Sequence, residues 1–203
     1  MQIYHLTGPA PFCANSFLVL TEQGSAVIID PAAGAEEYDD ALARTNTLLK
    51  LMLCTHGHMD HVGGAAALRS EWGAPLRCGA ADVQGRGLYP LAEADGSLAD
   101  GEELTVDELT FKIIATPGHS EGSVCILCGE YLFTGDTLFH GDTGRTDLAG
   151  GDPAKMVQSI QKLRALRLPA DTKILPGHEE FTTYGEEMAH NWFVCHMCPP
   201  EEA

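Results

Sequence analysis

Short apolar runs, bounded by turn residues or more polar segments, indicate strands along the whole chain. In the N-terminal half these runs cover residues 16–20, 25–30 and 51–54. A helix is predicted between the last two of them, over residues 35–47. Further strands are predicted at residues 104–106, 109–115, 123–127, 131–134 and 173–175.

The clearest helix begins at Asp152 and Pro153, an N-cap residue followed by a proline suited to the first helical position. Apolar residues then recur at three- and four-residue spacing, which gives the helix one apolar face; they are Met156, Val157, Ile160, Leu163 and Leu166. Because strands and helices alternate, the predicted class is α/β or α+β. We expect one domain over residues 1–198 and a loose tail at 199–203.

Charge and composition exclude several classes of function. The 203 residues include 29 acidic and 12 basic side chains, for a formal net charge of -17. Because binding phosphates takes clustered Lys and Arg, no nucleic-acid partner is expected. No apolar run reaches the roughly 18 to 20 residues that span a bilayer, and no signal peptide is visible. We therefore expect a soluble, cytoplasmic protein with no membrane partner, whose seven cysteines are reduced.

Candidate metal ligands are concentrated in residues 54–64, which read CTHGHMDHVGG. A buried strand is predicted to end at Cys54 and an Ala-rich helix to begin around Asp60. His56, His58, Asp60 and His61 would then lie in the turn between them. Three imidazoles and one carboxylate within six residues can converge on cations, although Asp60 alone can also be explained as an N-cap.

Three later segments repeat one pattern, in which an apolar run leads into a turn that presents a possible ligand. The residues presented are His119, Asp136 and His178. Ligands at the carboxyl ends of several strands lie at one edge of a sheet, where open α/β structures place their sites. Each residue alone can be an ordinary polar turn residue, but with the first cluster they give seven ligands, enough for two metals. His and Asp suit zinc, and also iron or manganese.

The motif HxHxDH, followed by spaced His, Asp and His, resembles the metallo-β-lactamase superfamily. The resemblance implies a four-layer αβ/βα sandwich with the site at one edge of two facing sheets. It also implies that His56, His58 and His119 hold one metal, that Asp60, His61 and His178 hold the second, and that Asp136 bridges them. His at position 58, where di-iron oxygen-reducing relatives have Glu, and Asp at 136, where one β-lactamase class has Cys, argue against those branches.

Within this superfamily the chain resembles the short glyoxalase II-like hydrolases, through TGDTLF at 134–139, GRTD at 144–147 and PGH at 176–178. Full-length glyoxalase II enzymes continue into a helical domain with basic glutathione contacts, whereas the 25 residues after His178 contain no Lys or Arg. S-lactoylglutathione and another small acyl thioester therefore both stay open as substrates. Arg145 can hold a substrate carboxylate or pair internally with Asp147.

Two divalent cations about 3.5 Å apart can share a water and lower its pKa enough to supply hydroxide near neutral pH. A thioester suits this centre, because the second metal can stabilise the departing thiolate. Asp136 would serve catalysis as the bridging ligand, and Asp60 by orienting the nucleophile or taking a proton. The first alternative is a persulfide dioxygenase of the same fold, with one iron on His56, His119 and Asp136; the second is a metal-binding scaffold without turnover. Neither the metal nor the oligomeric state follows from the sequence.

Other residues allow two interpretations each. Asp30 can support a metal-bound histidine or be a turn residue at a strand end. Cys195 and Cys198 have the spacing of half a zinc site or a redox pair, but no second half lies nearby. Trp192 and Phe193 can line a pocket or dock the C-terminal segment onto the core. His140 is expected to be an exposed loop residue, and Cys125 and Cys128, three apart on a strand, to face opposite sides.

Overall fold

The computed structural model describes residues 1–198, and it consists of two mixed six-stranded sheets that pack face to face between outer helices. The first sheet is formed in chain order by β1 (Gln2–Thr7), β2 (Asn15–Leu20), β3 (Ser25–Ile29), β4 (Leu48–Leu53), β5 (Leu76–Cys78) and β6 (Gly96–Ser97). β1 to β3 pair antiparallel, and β3 to β6 pair parallel. The predicted loose tail, 199–203, lies outside the described residues.

The second sheet has the order β12-β11-β10-β9-β8-β7. Its strands are β7 (Glu103–Val106), β8 (Leu109–Ala115), β9 (Val124–Cys128), β10 (Tyr131–Gly135), β11 (Lys173–Pro176) and β12 (Thr182–Thr183). Only β10 and β11 pair parallel. The helices are α1 (Ala35–Thr45), α2 (Ala65–Trp72), α3 (Pro153–Ala165), α4 (Tyr184–His190) and α5 (Trp192–Met197).

Three apolar layers hold the sandwich together, and strand β2 shows how they arise. All six of its residues are buried. Because successive side chains on a strand point to opposite faces, Leu18 and Leu20 pack toward α1 and α2. Phe17 and Val19 pack instead against the second sheet. The third layer lies between the second sheet and helices α3 and α5. The molecule therefore has four structural layers, helix, sheet, sheet and helix, which confirm the predicted class and the αβ/βα sandwich.

The predicted helices and strands are present, and some of them begin or end at other residues than predicted because local hydrogen bonds and backbone conformation set their ends. Helix α3 begins after Asp152, whose carboxylate accepts hydrogen bonds from the backbone N–H groups of Ala154 and Lys155. Helix α1 ends two residues before the prediction, because Asn46 adopts the left-handed conformation (φ 52°) and caps it. The short strands β5, β6 and β12, the edge strand β1 and helices α4 and α5 were not predicted. Cys125 and Cys128 face different apolar layers, as expected.

The helix after the first ligand cluster begins at Ala65, so the prediction of a start around Asp60 is wrong. Its N-terminal cap is Gly64, and Asp60 is therefore not an N-cap. The intervening residues form turns instead. The backbone N–H of His61 bonds the carbonyl of His58 (3.0 Å), and that of Gly64 bonds Pro31 (2.8 Å). Eleven irregular residues, 54–64, thus separate strand from helix and leave their side chains free to turn toward one another.

Among residues 1–198, no helix combines the length and the apolar character that crossing a bilayer requires.

Candidate metal centre

The carboxyl ends of β4, β8, β10 and β11 meet at one edge of the sandwich, and the loops that follow them carry the predicted ligands. The structure brings together all seven of these side chains: His56, His58, Asp60, His61, His119, Asp136 and His178. Four of them follow a strand of the first sheet and three follow strands of the second. The candidate centre therefore lies across the junction of the two sheets.

Within this centre, His56, His58 and His119 form one group whose possible ligand atoms all lie within 4.8 Å of one another. His58 Nδ1 and His119 Nε2 are 2.9 Å apart. All three side chains are buried, so water competes little for their nitrogen lone pairs.

Asp60, His61 and His178 form the second group, again with possible ligand atoms within 4.8 Å of one another. His61 Nε2 lies 3.2 Å from His178 Nε2. Asp60 Oδ2 lies 3.4 Å from His178 Nε2 and 3.8 Å from His61 Nε2. This group is less buried than the first and faces the open side of the centre.

Asp136 lies between the two groups. Its Oδ1 is 3.4 Å from His61 Nε2, and its Oδ2 is 3.3 Å from His119 Nε2 and 3.7 Å from His178 Nε2. The Asp136 carboxylate thus lies within 3.7 Å of histidines from both groups, which is the arrangement that a bridging ligand needs.

The spacing and the unmet hydrogen bonds of these atoms fit cations. Ligand atoms about 2.1 Å from a tetrahedral ion lie about 3.4 Å from each other, close to the separations found here. Three buried atoms of the centre, His56 Nε2, His58 Nε2 and Asp136 Oδ1, have no hydrogen-bond partner among residues 1–198. Buried polar atoms rarely stay unsatisfied, and a metal ion would supply the missing partner of His56 Nε2 and Asp136 Oδ1.

Two of the histidines are oriented by acceptors on the side of the ring away from the centre. His61 Nδ1 donates to Asp30 Oδ2 (3.2 Å), and His119 Nδ1 donates to the carbonyl of Arg145 (2.7 Å). Each bond holds the proton on Nδ1 and leaves the Nε2 lone pair facing the centre. Asp30 also accepts from the Thr55 N–H and hydroxyl, both at 2.6 Å. Of its two interpretations, the supporting carboxylate is the one that the structure favours.

Burial and neighbouring charge shift the pKa values of the side chains in this centre. Burial and the neighbouring histidines lower the pKa of His56, and burial with His119 lowers that of His58 to about 4. Burial would also lower the pKa of His61, but the carboxylates of Asp136, Asp30 and Asp60 outweigh it and raise it to about 9. Burial would raise the pKa of Asp60, but the hydrogen bond from His178 and the charge of His61 lower it to about 2. Asp60 is therefore a carboxylate at neutral pH.

Asn15, which the sequence analysis did not identify, holds the loop of His178. Its buried amide donates to the carbonyls of Pro176 (3.0 Å) and Glu179 (3.1 Å), on either side of His178. Its backbone N–H bonds the carbonyl of Gly177 (2.7 Å). Gly177 is itself required, because a Cβ at this position would collide with Asp136 Oδ1 and His61. Asn15 and Pro176 are 161 positions apart, so no local sequence pattern could have revealed this contact.

Asp82, in a short 3-10 turn (Ala80–Asp82), was missed for the same reason. Its buried carboxylate accepts hydrogen bonds from the N–H of Gly57 (3.0 Å), the N–H of Gly122 (2.9 Å) and the hydroxyl of Ser120 (2.6 Å). Gly57 lies between two ligands of the first sheet, and Ser120 follows a ligand of the second. One carboxylate therefore joins the two ligand loops.

An open cleft of about 350 Å³ leads to the centre. Its lining includes five of the seven candidate ligands, one cation, one further acid and five large apolar side chains: His58, Asp60, His119, Asp136, His178, Arg145, Glu179, Phe12, Met59, Leu88, Phe139 and Leu148. Arg145 makes a bidentate ion pair with Asp147, in which Nε donates to Oδ1 (2.6 Å) and Nη2 donates to Oδ2 (2.7 Å). Of the two roles considered for Arg145, a contact to a substrate carboxylate and an internal pair with Asp147, the structure therefore shows the internal pair.

The remaining predicted residues lie outside this centre. His140 is half exposed, with its Nδ1 3.8 Å from Glu180 Oε2. Phe193 packs on the third apolar layer, whereas Trp192 is largely exposed, so only Phe193 docks the C-terminal segment onto the core. In the part of the chain that the structure describes, neither Cys195 nor Cys198 belongs to a group able to hold a metal.

Comparisons with known proteins agree with this geometry. The sequence profile of the metallo-beta-lactamase superfamily matches residues 10–178. Hydroxyacylglutathione hydrolase GloC of Haemophilus influenzae is 33% identical over 201 residues, which cover 90% of this chain and 93% of that protein. The crystal structure of BLEG-1 B3 metallo-beta-lactamase superimposes with a TM-score of 0.86 at 33% identity, covering 95% of this chain and 99% of that one. The crystal structure of TTHA1623 in a di-iron-bound form gives a TM-score of 0.79 at 33% identity, with 94% and 99% covered.

Proposed function

The chain belongs to the metallo-β-lactamase superfamily, and we propose that within it the protein is a dinuclear metallohydrolase that cleaves a small acyl thioester. The observation that carries the proposal is the position of Asp136, whose carboxylate lies within 3.7 Å of histidines from two separate groups of three candidate ligands. A mononuclear centre needs only one such group. A chain that holds six candidate ligand side chains around a central carboxylate is suited to two ions.

We assign His56, His58 and His119 to one ion and Asp60, His61 and His178 to the other, with Asp136 shared. When bound, two divalent ions supply an acidified water as nucleophile and an electrophile for the acyl oxygen. The protein contributes the rest. Asp30 and the Arg145 carbonyl hold the His61 and His119 rings in orientation. Asp60, ionised at neutral pH, can orient the nucleophilic water at the mouth of the cleft.

Two relatives support the dinuclear thioester hydrolase. GloC is described as a hydroxyacylglutathione hydrolase, and hydroxyacylglutathione is a thioester. TTHA1623 was crystallised with two irons. Zinc is the metal we propose first, because His and Asp ligands in tetrahedral spacing suit it, with iron and manganese also compatible.

Elemental analysis of freshly purified, anaerobically handled protein tests the proposal first. We expect about two metals per chain and metal-dependent release of thiol from a thioester such as S-lactoylglutathione. One iron per chain with oxygen consumption on a persulfide would instead support the mononuclear dioxygenase. Because BLEG-1 is named a metallo-β-lactamase, a penicillin belongs in the same screen, and its cleavage without thioester cleavage would overturn the substrate class.

The variant Asp136→Asn separates an enzyme from a scaffold. We expect it to bind at most one metal and to lose at least 100-fold in kcat/KM, with its circular dichroism unchanged. The reason is that a neutral amide cannot bridge two cations as a carboxylate does. Full activity in this variant would contradict the role given to Asp136. The single domain over residues 1–198 and the cytoplasmic location stay predictions from the sequence.

A further inference from the structure

The mouth of the cleft is lined by large apolar side chains that are exposed to solvent. Phe12 is 56% exposed, Met59 51% and Leu88 36%, and Phe139 and Leu148 extend the same lining. The three exposed residues come from separate segments, the β1–β2 loop, the first ligand cluster and the loop after the Ala80–Asp82 turn. An exposed apolar patch beside polar groups marks a surface that binds something apolar. Its position above the ligand cluster makes the bound molecule the substrate.

The charges around this mouth do not favour a carboxylated substrate. Arg145 is the only Lys or Arg among the lining residues in the described part of the chain. Asp147 lies within 2.7 Å of its guanidinium and balances its charge. Glu179 lines the same cleft. Apart from the candidate ligands, these groups therefore sum to one negative charge. Because glutathione carries two carboxylates, it would find no unpaired Lys or Arg side chain among the lining residues described here.

We propose that the cleft selects thioesters with an uncharged thiol carrier and an apolar acyl chain, in preference to glutathione thioesters. This inference rests on the proposed function. The reaction is hydrolysis: water adds to the acyl carbon, the carbon–sulfur bond breaks, the sulfur leaves with the bonding pair and takes a proton. The products are a carboxylic acid and a free thiol, and no oxidant or reductant is required.

The matched substrates for the test are the hexanoyl thioesters of N-acetylcysteamine and N-acetylcysteine, which differ by one carboxylate. The acetyl thioester of N-acetylcysteamine tests chain length, and S-lactoylglutathione tests the family's expected substrate. On the metal-loaded full chain we expect kcat/KM for hexanoyl-N-acetylcysteamine to exceed the values for the other three at least ten-fold. A preference for either carboxylated substrate would overturn the inference.

Two kinds of variant test the residues themselves. Leu88→Ser should lower the hexanoyl-to-acetyl ratio of kcat/KM about five-fold, whereas Leu48→Ser, at an exposed position on β4 away from the cleft, should leave it unchanged.

Asp147→Asn removes the charge that balances Arg145. It should raise kcat/KM about five-fold more for the N-acetylcysteine thioester than for the N-acetylcysteamine thioester. An equal change for both carriers would contradict the charge argument.

Binding of uncleavable thioethers distinguishes failure of this inference from failure of the proposed function. S-hexyl-N-acetylcysteamine and S-hexylglutathione are compared by calorimetry on the metal-loaded protein. About ten-fold tighter binding of the uncharged thioether, with no thioester cleaved, would contradict the proposed hydrolase activity and support the proposed selectivity of the cleft. Thioester cleavage with tighter binding of S-hexylglutathione would support the proposed hydrolase activity and overturn the proposed selectivity of the cleft.

Discussion

Single residues far from the candidate ligands in sequence decide how these side chains are held. Asn15 spans the loop around His178 with two amide hydrogen bonds, and its oxygen accepts a bond from His5 Nε2 (2.8 Å). Because the amide is buried, water cannot replace these bonds. The loop therefore depends on a residue of the opposite sheet for its shape.

We expect Asn15→Ala to weaken metal binding about ten-fold, as the loss of an outer partner of a metal ligand does. The matched control is Tyr184→Phe, because the Tyr184 hydroxyl also bonds two backbone carbonyls, those of Leu163 and Arg164, away from the centre. Both variants should lose about 1 kcal/mol of unfolding free energy. Competition with a chromophoric chelator measures the metal affinity. An equal loss of affinity in both variants would mean that Asn15 acts through stability alone.

The cysteines differ in burial, and their reactivity should follow it. Burial raises the pKa of Cys125 to about 11, so at pH 8 only about 0.1% of this thiol is ionised. Cys13 is exposed on the β1–β2 loop. We expect iodoacetamide at pH 8 to modify Cys13 at least ten-fold faster than Cys125, as mapped by peptide mass. Raising the pH to 9 should keep that order, and unfolding in urea should abolish it. Fast labelling of native Cys125 would contradict its burial.

The sequence reveals the candidate ligands more readily than the residues that support them. Four of the ligands lie within six residues, and the others share a strand-to-turn pattern, so a local motif carries them. Asn15 and Asp82 have no such motif, because their partners come from other strands and turns. Asp30 lies between these cases: the sequence allows either a supporting role or a turn residue at a strand end, and only the fold shows the bond to His61.

At the scale of elements, the predictions succeeded where a helix or strand carries its own signal. Helix α3 has a cap, an N-terminal proline and an apolar face. Helix α2 has none of these at its start, and the predicted start around Asp60 lies before the observed one at Ala65. Strands β6 and β12 have two residues each and exist only through their neighbours, so no periodicity could reveal them.

The cap of α3 gives a test at this scale. Asp152→Ala removes the acceptor for the N–H groups of Ala154 and Lys155, and we expect a loss of about 1 kcal/mol of unfolding free energy. Asp171→Ala, at an exposed position, is the control for losing one acidic charge. Urea unfolding followed by circular dichroism measures both. Equal stability of the two variants would show that the cap contributes nothing.

At the scale of the whole molecule, the candidate centre joins the two sheets, since each sheet supplies ligands to it. A metal that binds the folded chain alone stabilises it by about 2.7 kcal/mol at a concentration 100 times its dissociation constant. For a chain of this size we therefore expect chelation to lower Tm by about 5 to 10 °C, measured by differential scanning calorimetry. The same chelator should shift Asp136→Asn much less. An unchanged Tm for the native chain would mean that the ions do not stabilise the sandwich.

The ligands and the apolar mouth belong to different parts of the chain. The ligands follow strand ends that two packed sheets hold in place, whereas Phe12, Leu88 and Leu148 belong to connecting loops. Loops tolerate substitution and changes of length better than the elements they connect. Mutations in these three loops can therefore change which molecule is accepted while the reaction centre is inherited intact. This division gives the scaffold evolvability: libraries confined to the loops should yield new specificities far more often than libraries that include the strand ends.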